Sequence, residues 1–121
     1  KRPKNLDLTT IKLPLPGKVS ILHSVSGAGL FICLPVILWL FSASLSSTET
    51  YATFKSVFAS LPVKVVLAGL IWAYLHHFCA GVRFLLLDLH IGIDKETANK
   101  SAVGVLAVSI PLTLIFWGVL L

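Results

Sequence analysis

The chain has 121 residues, which limits it to a single domain, and it is 56% hydrophobic but only 12% charged, far from the composition of a water-soluble globule. Ten Lys and Arg against five Asp and Glu give a net charge of +5. These charges sit in a few patches between long uncharged runs, as membrane flanks do, which excludes nucleic acid as a partner and makes membrane lipid the surroundings.

The leading stretch, residues 1–19, contains Pro3, Pro14, Pro16 and Gly17, a pattern that resists helix and predicts an extended arm. With no Met and with Lys1 leading, the chain is expected to begin inside its gene product. Nothing at its front has the shape of a cleavable signal peptide, so the first apolar segment is expected to stay. From Lys18 to Glu49 no Asp, Glu, Lys or Arg intervenes, and a first transmembrane helix is predicted over about 20–45. The loop SSTETYATFKSVFASLP follows, and then a second span over about 62–87, which includes VVLAGLIWAYLHHFCAGV. A third, over about 101–121, carries no charge at all. Pro35 and Pro111 fall inside spans one and three, where neighbouring helices can satisfy the freed carbonyls and a kink is expected. The fold class is therefore an all-α membrane protein, one membrane-anchor domain over 1–121 of three transmembrane helices with an extended cytoplasmic N-terminal arm.

Lys1, Arg2, Lys4, Lys12 and Lys18 precede span one, Lys55 and Lys64 lie in the first loop, and Arg83, Lys95 and Lys100 flank the second. The positive-inside rule puts the N-terminus and the second loop in the cytoplasm of a bacterium, with a multi-pass inner-membrane protein as the expectation and the mitochondrial inner membrane the lesser alternative. Cys33 and Cys79 lie in apolar runs without CxxC spacing, which argues against zinc, disulfide and iron–sulfur roles for this chain. Neither GxGxxG nor GxxxxGK(S/T) is present, so no nucleotide site is expected.

Histidine in hydrocarbon is costly, so His76 and His77 in span two mark a candidate site. Adjacent helical residues point about 100° apart, so one flat cofactor cannot be gripped by both. Steps of four from His77 meet Gly69, Ala73 and Gly81, whereas those from His76 meet Ala68, Trp72 and Ala80. The small-residue stripe around His77 either lets another helix approach or leaves room for a macrocycle whose iron takes the imidazole. Packing glue is the bland alternative for both histidines, and for His76 a place beside haem propionates is the other. His23 is the only further intramembrane candidate ligand, and it lies at the extreme start of span one, so a second axial ligand comes more naturally from another chain.

Span one opens with SILHSVSG, residues 20–27. Its hydroxyls and imidazole suit a quinone, whose carbonyls accept hydrogen bonds while its ring and tail want hydrocarbon. Equally, Ser20 could be only an N-cap and Ser24 only back-bonded to the carbonyl of residue 20. Arg83 and Asp88 are either a propionate partner with its neighbour or a solvated interfacial pair. By the orientation above, all these polar residues share the cytoplasmic depth, and no Asp or Glu lies deep in a span, which counts against a proton-coupled transporter.

SILHxxSG at residues 20–27, HxxxGxR at 77–83, the following Asp88 and the opening RPKNLDL from Arg2 to Leu8 together resemble the cytochrome b556 subunits of succinate dehydrogenase, over essentially the whole chain. The resemblance implies one of two membrane anchors of respiratory complex II. In that complex a flavoprotein subunit oxidises succinate, an iron–sulfur subunit passes electrons on, and two small hydrophobic anchor subunits bind haem b and reduce ubiquinone. It implies that His77 is an axial haem ligand whose counterpart comes from the second anchor subunit. By the same resemblance Ser20 contacts quinone, His23 lies near the propionates, and Arg83 and Asp88 match the tail of the second motif. Two positions depart from the family pattern. Ser24 stands where an arginine directly after the motif histidine usually contacts quinone and propionate, and Phe84 stands where HxxxGxRH ends in histidine. A short hydroxyl is no conservative exchange for a guanidinium, which leaves Ser24 with a single neutral hydrogen bond to offer.

The expected function is thus a cytochrome b anchor subunit of succinate:quinone oxidoreductase, non-catalytic by itself, which docks its soluble partners through the arm and the second loop. A haem-free structural anchor or assembly module, with the histidines as packing glue, is the alternative.

Overall fold

The computed structural model describes residues 14–121. Four helices follow in order: α1 Leu15–Ser46, α2 Thr48–Phe58, α3 Leu61–Asp88 and α4 Lys95–Leu120. No strand occurs among the described residues. Three of the helices, α1, α3 and α4, are long and apolar enough to cross a membrane, which gives the all-α, three-span architecture expected from the uncharged runs. The greater part of the predicted N-terminal arm, residues 1–13, lies outside the described residues.

The helix boundaries differ from the sequence expectation in three places. Helix α1 begins at Leu15 with Pro16 and Gly17 in its first turn, because proline there forfeits only an N–H that has no intrahelical partner. Ser20 is consequently an interior residue of α1, whose N-cap is Pro14, so the N-cap reading of Ser20 is overturned. The first loop is largely the helix α2. Ser47 Oγ accepts from the Thr50 N–H at 3.0 Å and Thr50 Oγ1 accepts from the Ser47 N–H at 3.0 Å, a reciprocal capping box that starts the helix. Helix α4 starts at Lys95, several residues before the apolar run, because the Asp94 carboxylate caps it: Oδ2 accepts from the Thr97 N–H at 3.0 Å and from Thr97 Oγ1 at 2.9 Å. Both Pro35 and Pro111 lie within continuous helices.

The bundle is inside-out. Its buried apolar core is Val19, Ala80, Ala102 and Val105 among the described residues, while large side chains such as Phe31, Trp39 and Leu45 face outward. Small residues at the helix contacts bring the backbones together, and the outward apolar surface is what hydrocarbon or another transmembrane chain covers. Polar bonds tie α3 to α4 at both ends. Arg83 Nε donates to Ser101 Oγ at 2.9 Å, and Trp117 Nε1 donates to the Lys64 carbonyl at 2.7 Å.

In the turn between α3 and α4, His90 and Gly92 adopt left-handed backbone conformations, φ 60° and 70°. This turn and the start of α1 form one end of the bundle, and α2 lies at the other.

Candidate functional site

Near the α3–α4 turn end, α1 and α3 bring two imidazoles together. The rings of His23 and His77 stack with centroids 4.2 Å apart and planes within 4°. His77 Nδ1 lies 3.1 Å from the His23 carbonyl oxygen and 3.4 Å from Ser26 Oγ. Ser26 Oγ itself donates to the His23 carbonyl at 2.9 Å. A carbonyl only accepts, and the serine proton is already committed to it, so the proton on His77 belongs to Nδ1. Nε2 is left with its lone pair and makes no hydrogen bond among the described residues. A metal-ligating histidine is normally oriented in this way, with the other ring N–H on a carbonyl or carboxylate.

Gly27 makes the approach possible, since an added Cβ there would sit 2.7 Å from His77 Cε1, whereas one at Gly81 would be in ordinary contact with His23 Cε1 at 3.5 Å. Gly69 and Ala73, on the same face of α3, line a cavity of about 240 Å³ with Ser26, Gly29, Cys33 and Trp72. A larger apolar cavity of about 570 Å³ lies towards the other end, between Leu30 and Phe41 of α1, Phe54 and Phe58 of α2, and Leu70 and Tyr74 of α3.

His76 points a different way from His77, as the helical geometry predicts. It is fully buried against the bundle interior, tilted on Trp72 with ring centroids 4.8 Å apart, and among the described residues neither of its nitrogens has a hydrogen-bond partner. Arg83 is also buried, and besides Ser101 its Nη2 reaches the Ala98 carbonyl at 3.3 Å. The solvated Arg83–Asp88 pair is therefore not formed, because α4 takes the guanidinium while Asp88 ends α3 in an exposed position. Arg83 remains linked to the histidines through Phe84, whose ring lies 5.0 Å from that of His23 and carries the guanidinium carbon 5.8 Å from its centroid. Ser24 is exposed, and its hydroxyl donates back to the Ser20 carbonyl at 3.3 Å, the local bond that the sequence reading kept as the alternative to a ligand contact.

Comparison with known families decides what this arrangement belongs to. Residues 1–116 match the model of the succinate dehydrogenase/fumarate reductase transmembrane subunit. The chain belongs to this family. Among relatives named succinate dehydrogenase cytochrome b556 subunit, that of Coxiella burnetii is 34% identical over 110 residues, 90% of this chain and 88% of the relative. That of Paracoccus denitrificans is 31% identical over 114 residues, 94% of this chain and 88% of the relative. The Rickettsia felis protein is 29% identical over 117 residues, covering 97% and 91% of the two chains.

Within this transmembrane-subunit family, the structure gathers His23, His77 and, through Phe84, Arg83 at one end. It leaves Ser24 and Asp88 facing outward and His76 inside. The sequence reading missed the individual parts that Ser26 and Gly27 play. Both stand in the SILHSVSG motif, and Gly27 lies one turn after His23, which is the signal that could have found it.

Proposed function

We propose that the chain is a haem b-binding membrane anchor of succinate:quinone oxidoreductase, embedded in a bacterial inner membrane with its N-terminus in the cytoplasm. The observation that carries this reading is the state of His77: Nδ1 is engaged by the His23 carbonyl and Nε2 presents a free lone pair beside small residues. The residues fit the group. His77 Nε2 would hold the iron, together with a ligand from the other small hydrophobic anchor subunit. When bound, the haem supplies a one-electron redox centre. His23 and Arg83 would neighbour its propionates.

Ubiquinone is the proposed electron acceptor, with Ser20 and Ser24 at the polar edge of its site. A quinone carbonyl needs a donor, and the Ser24 proton is shared only over the long 3.3 Å contact to the Ser20 carbonyl, so it can be redirected at small cost. The N-terminal arm and the α3–α4 turn form the surface that docks the iron–sulfur subunit and, through it, the flavoprotein subunit. Succinate is oxidised on that flavoprotein, and this chain performs no chemistry on it.

The test is a dithionite-reduced minus oxidised visible spectrum of the complex purified from its native membrane in mild detergent. A single b-type signal is expected, lost in His77→Ala while the variant chain remains inserted. Unchanged absorbance in the purified variant would refute the ligand assignment, and an intact wild-type complex without the signal would leave a haem-free structural anchor.

A further inference from the structure

We propose that α1 sets the tautomer and the ring orientation of His77, and that Gly27 is the positioning residue that permits it. The consequence for haem rests on the reading of His77 as the iron ligand, whereas the contact between Gly27 and the imidazole does not.

His77 projects from α3 onto α1. Its Nδ1 reaches a carbonyl that belongs to the backbone of α1, at 3.1 Å, and a ring can approach a helix backbone this closely only where the helix lacks a side chain. Position 27 provides that gap. A Cβ there would lie 2.7 Å from Cε1 and 3.1 Å from Nδ1 of His77, both inside the roughly 3.5–4.0 Å at which carbon atoms pack. The ring is also in face contact with His23 at 4.2 Å, so turning it away from a new methyl group disturbs the stack, the Nδ1 bond or both. Once that bond is lost, nothing holds the proton on Nδ1, and the form with a proton on Nε2 cannot ligate a metal through that nitrogen. The effect is local to Gly27. Gly29, two residues on in the same helix, would place a Cβ with no heavy atom within 4 Å.

The test uses the full-length chain in detergent with ¹⁵N-labelled histidine, with His77 assigned by its disappearance in His77→Ala. Wild type is expected to show His77 as one neutral tautomer with the proton on Nδ1. Gly27→Ala should shift it to the other tautomer or to a mixture, while Gly29→Ala leaves it unchanged. In the haem-loaded complex Gly27→Ala should move the low-spin electron paramagnetic resonance g-values and the haem midpoint potential, and Gly29→Ala neither. If Gly27→Ala lowers Tm too far for spectroscopy, the same substitution in a His77→Ala background should not lower that background's Tm, because the ring it displaces is gone and alanine is the better helix former. Wild-type signals from His77 in Gly27→Ala, or an equal loss of Tm in both backgrounds, would overturn the proposal. A tautomer shift in a complex that carries no haem would uphold the role of Gly27 and sink the iron-ligand reading instead.

Discussion

His23 and His77, separated by 54 positions in the chain, meet face to face with centroids 4.2 Å apart and planes within 4°. The relation has two separable parts. The His23 side chain provides the stack, while its backbone carbonyl holds His77 Nδ1 and is present whatever residue occupies position 23. A substitution at 23 therefore probes the stack alone.

For His23→Phe the expected outcome is retained haem and near-normal stability, since a flat ring still covers His77. His23→Ala removes the stack and should cost on the order of 1 kcal/mol while leaving the His77 tautomer as it is. Chemical unfolding in detergent measures the stability, the reduced-minus-oxidised spectrum the haem, and ¹⁵N-labelled histidine the tautomer. Complete loss of haem in both variants would mean that the His23 imidazole itself is required.

Arg83 joins α3 to α4 through Ser101 and the Ala98 carbonyl. Ser101 Oγ still donates to the Ala98 carbonyl without Arg83, so the loss is that of the two charge-assisted bonds themselves, and Arg83→Leu should destabilise the chain by about 2 kcal/mol. Arg83→Lys should recover only part of this, because an ammonium cannot reproduce the guanidinium's fixed spread of donors. In a double-mutant cycle Arg83 and Ser101 should couple. Additive effects would show that the 2.9 Å bond contributes nothing of its own.

Ser24 is exposed, with room on its side of α1 for a longer side chain. Ser24→Arg restores the cation that the family pattern carries after the motif histidine, and it should lower KM for ubiquinone in the assembled complex without altering the haem spectrum. A KM equal to that of wild type would remove position 24 from the quinone site.

Asp94 gives the start of α4 a pH dependence. The Thr97 N–H, and then the Thr97 hydroxyl, hold the exposed carboxyl below its ordinary value. A carboxylate whose pKa is depressed in the folded state contributes stability above its unfolded pKa and loses it as pH falls through the folded one. Amide exchange in the first turn of α4 should therefore show less protection on acidification below the usual carboxylate range. Asp94→Asn keeps a capping oxygen and should abolish that pH dependence. A variant with the wild-type pH profile would show that another group governs the turn.

The three spans were legible in the sequence because an uncharged apolar run of this length leaves little choice of structure. The different directions of the His76 and His77 side chains were legible too, from helical geometry. Helix α2 was hidden because Thr48, Glu49, Thr50 and Thr53 mask the aromatic spacing of Tyr51, Phe54 and Phe58. The early start of α1 was hidden because Pro16 and Gly17 break helices everywhere except in the first turn. For Arg83 the burial could not be read, since its partners lie 15 and 18 positions further along the chain, and only the register of α4 against α3 brings them together. Gly27 was visible as a motif letter, but its function depends on a ring arriving from another helix.

The two polar rungs between α3 and α4, Arg83 to Ser101 and Trp117 to the Lys64 carbonyl, fix the sliding register of that pair at both ends. A shift of α4 by one turn would break both at once, so α3 and α4 form the stiff half of the molecule. Among the described residues, the polar bonds from α1 to α3 are confined to one place, where His23 and Ser26 meet His77. Elsewhere α1 is held by apolar contacts such as those of Val19 in the core, which fix spacing but not register, so the histidine pair alone sets where α1 stands along α3.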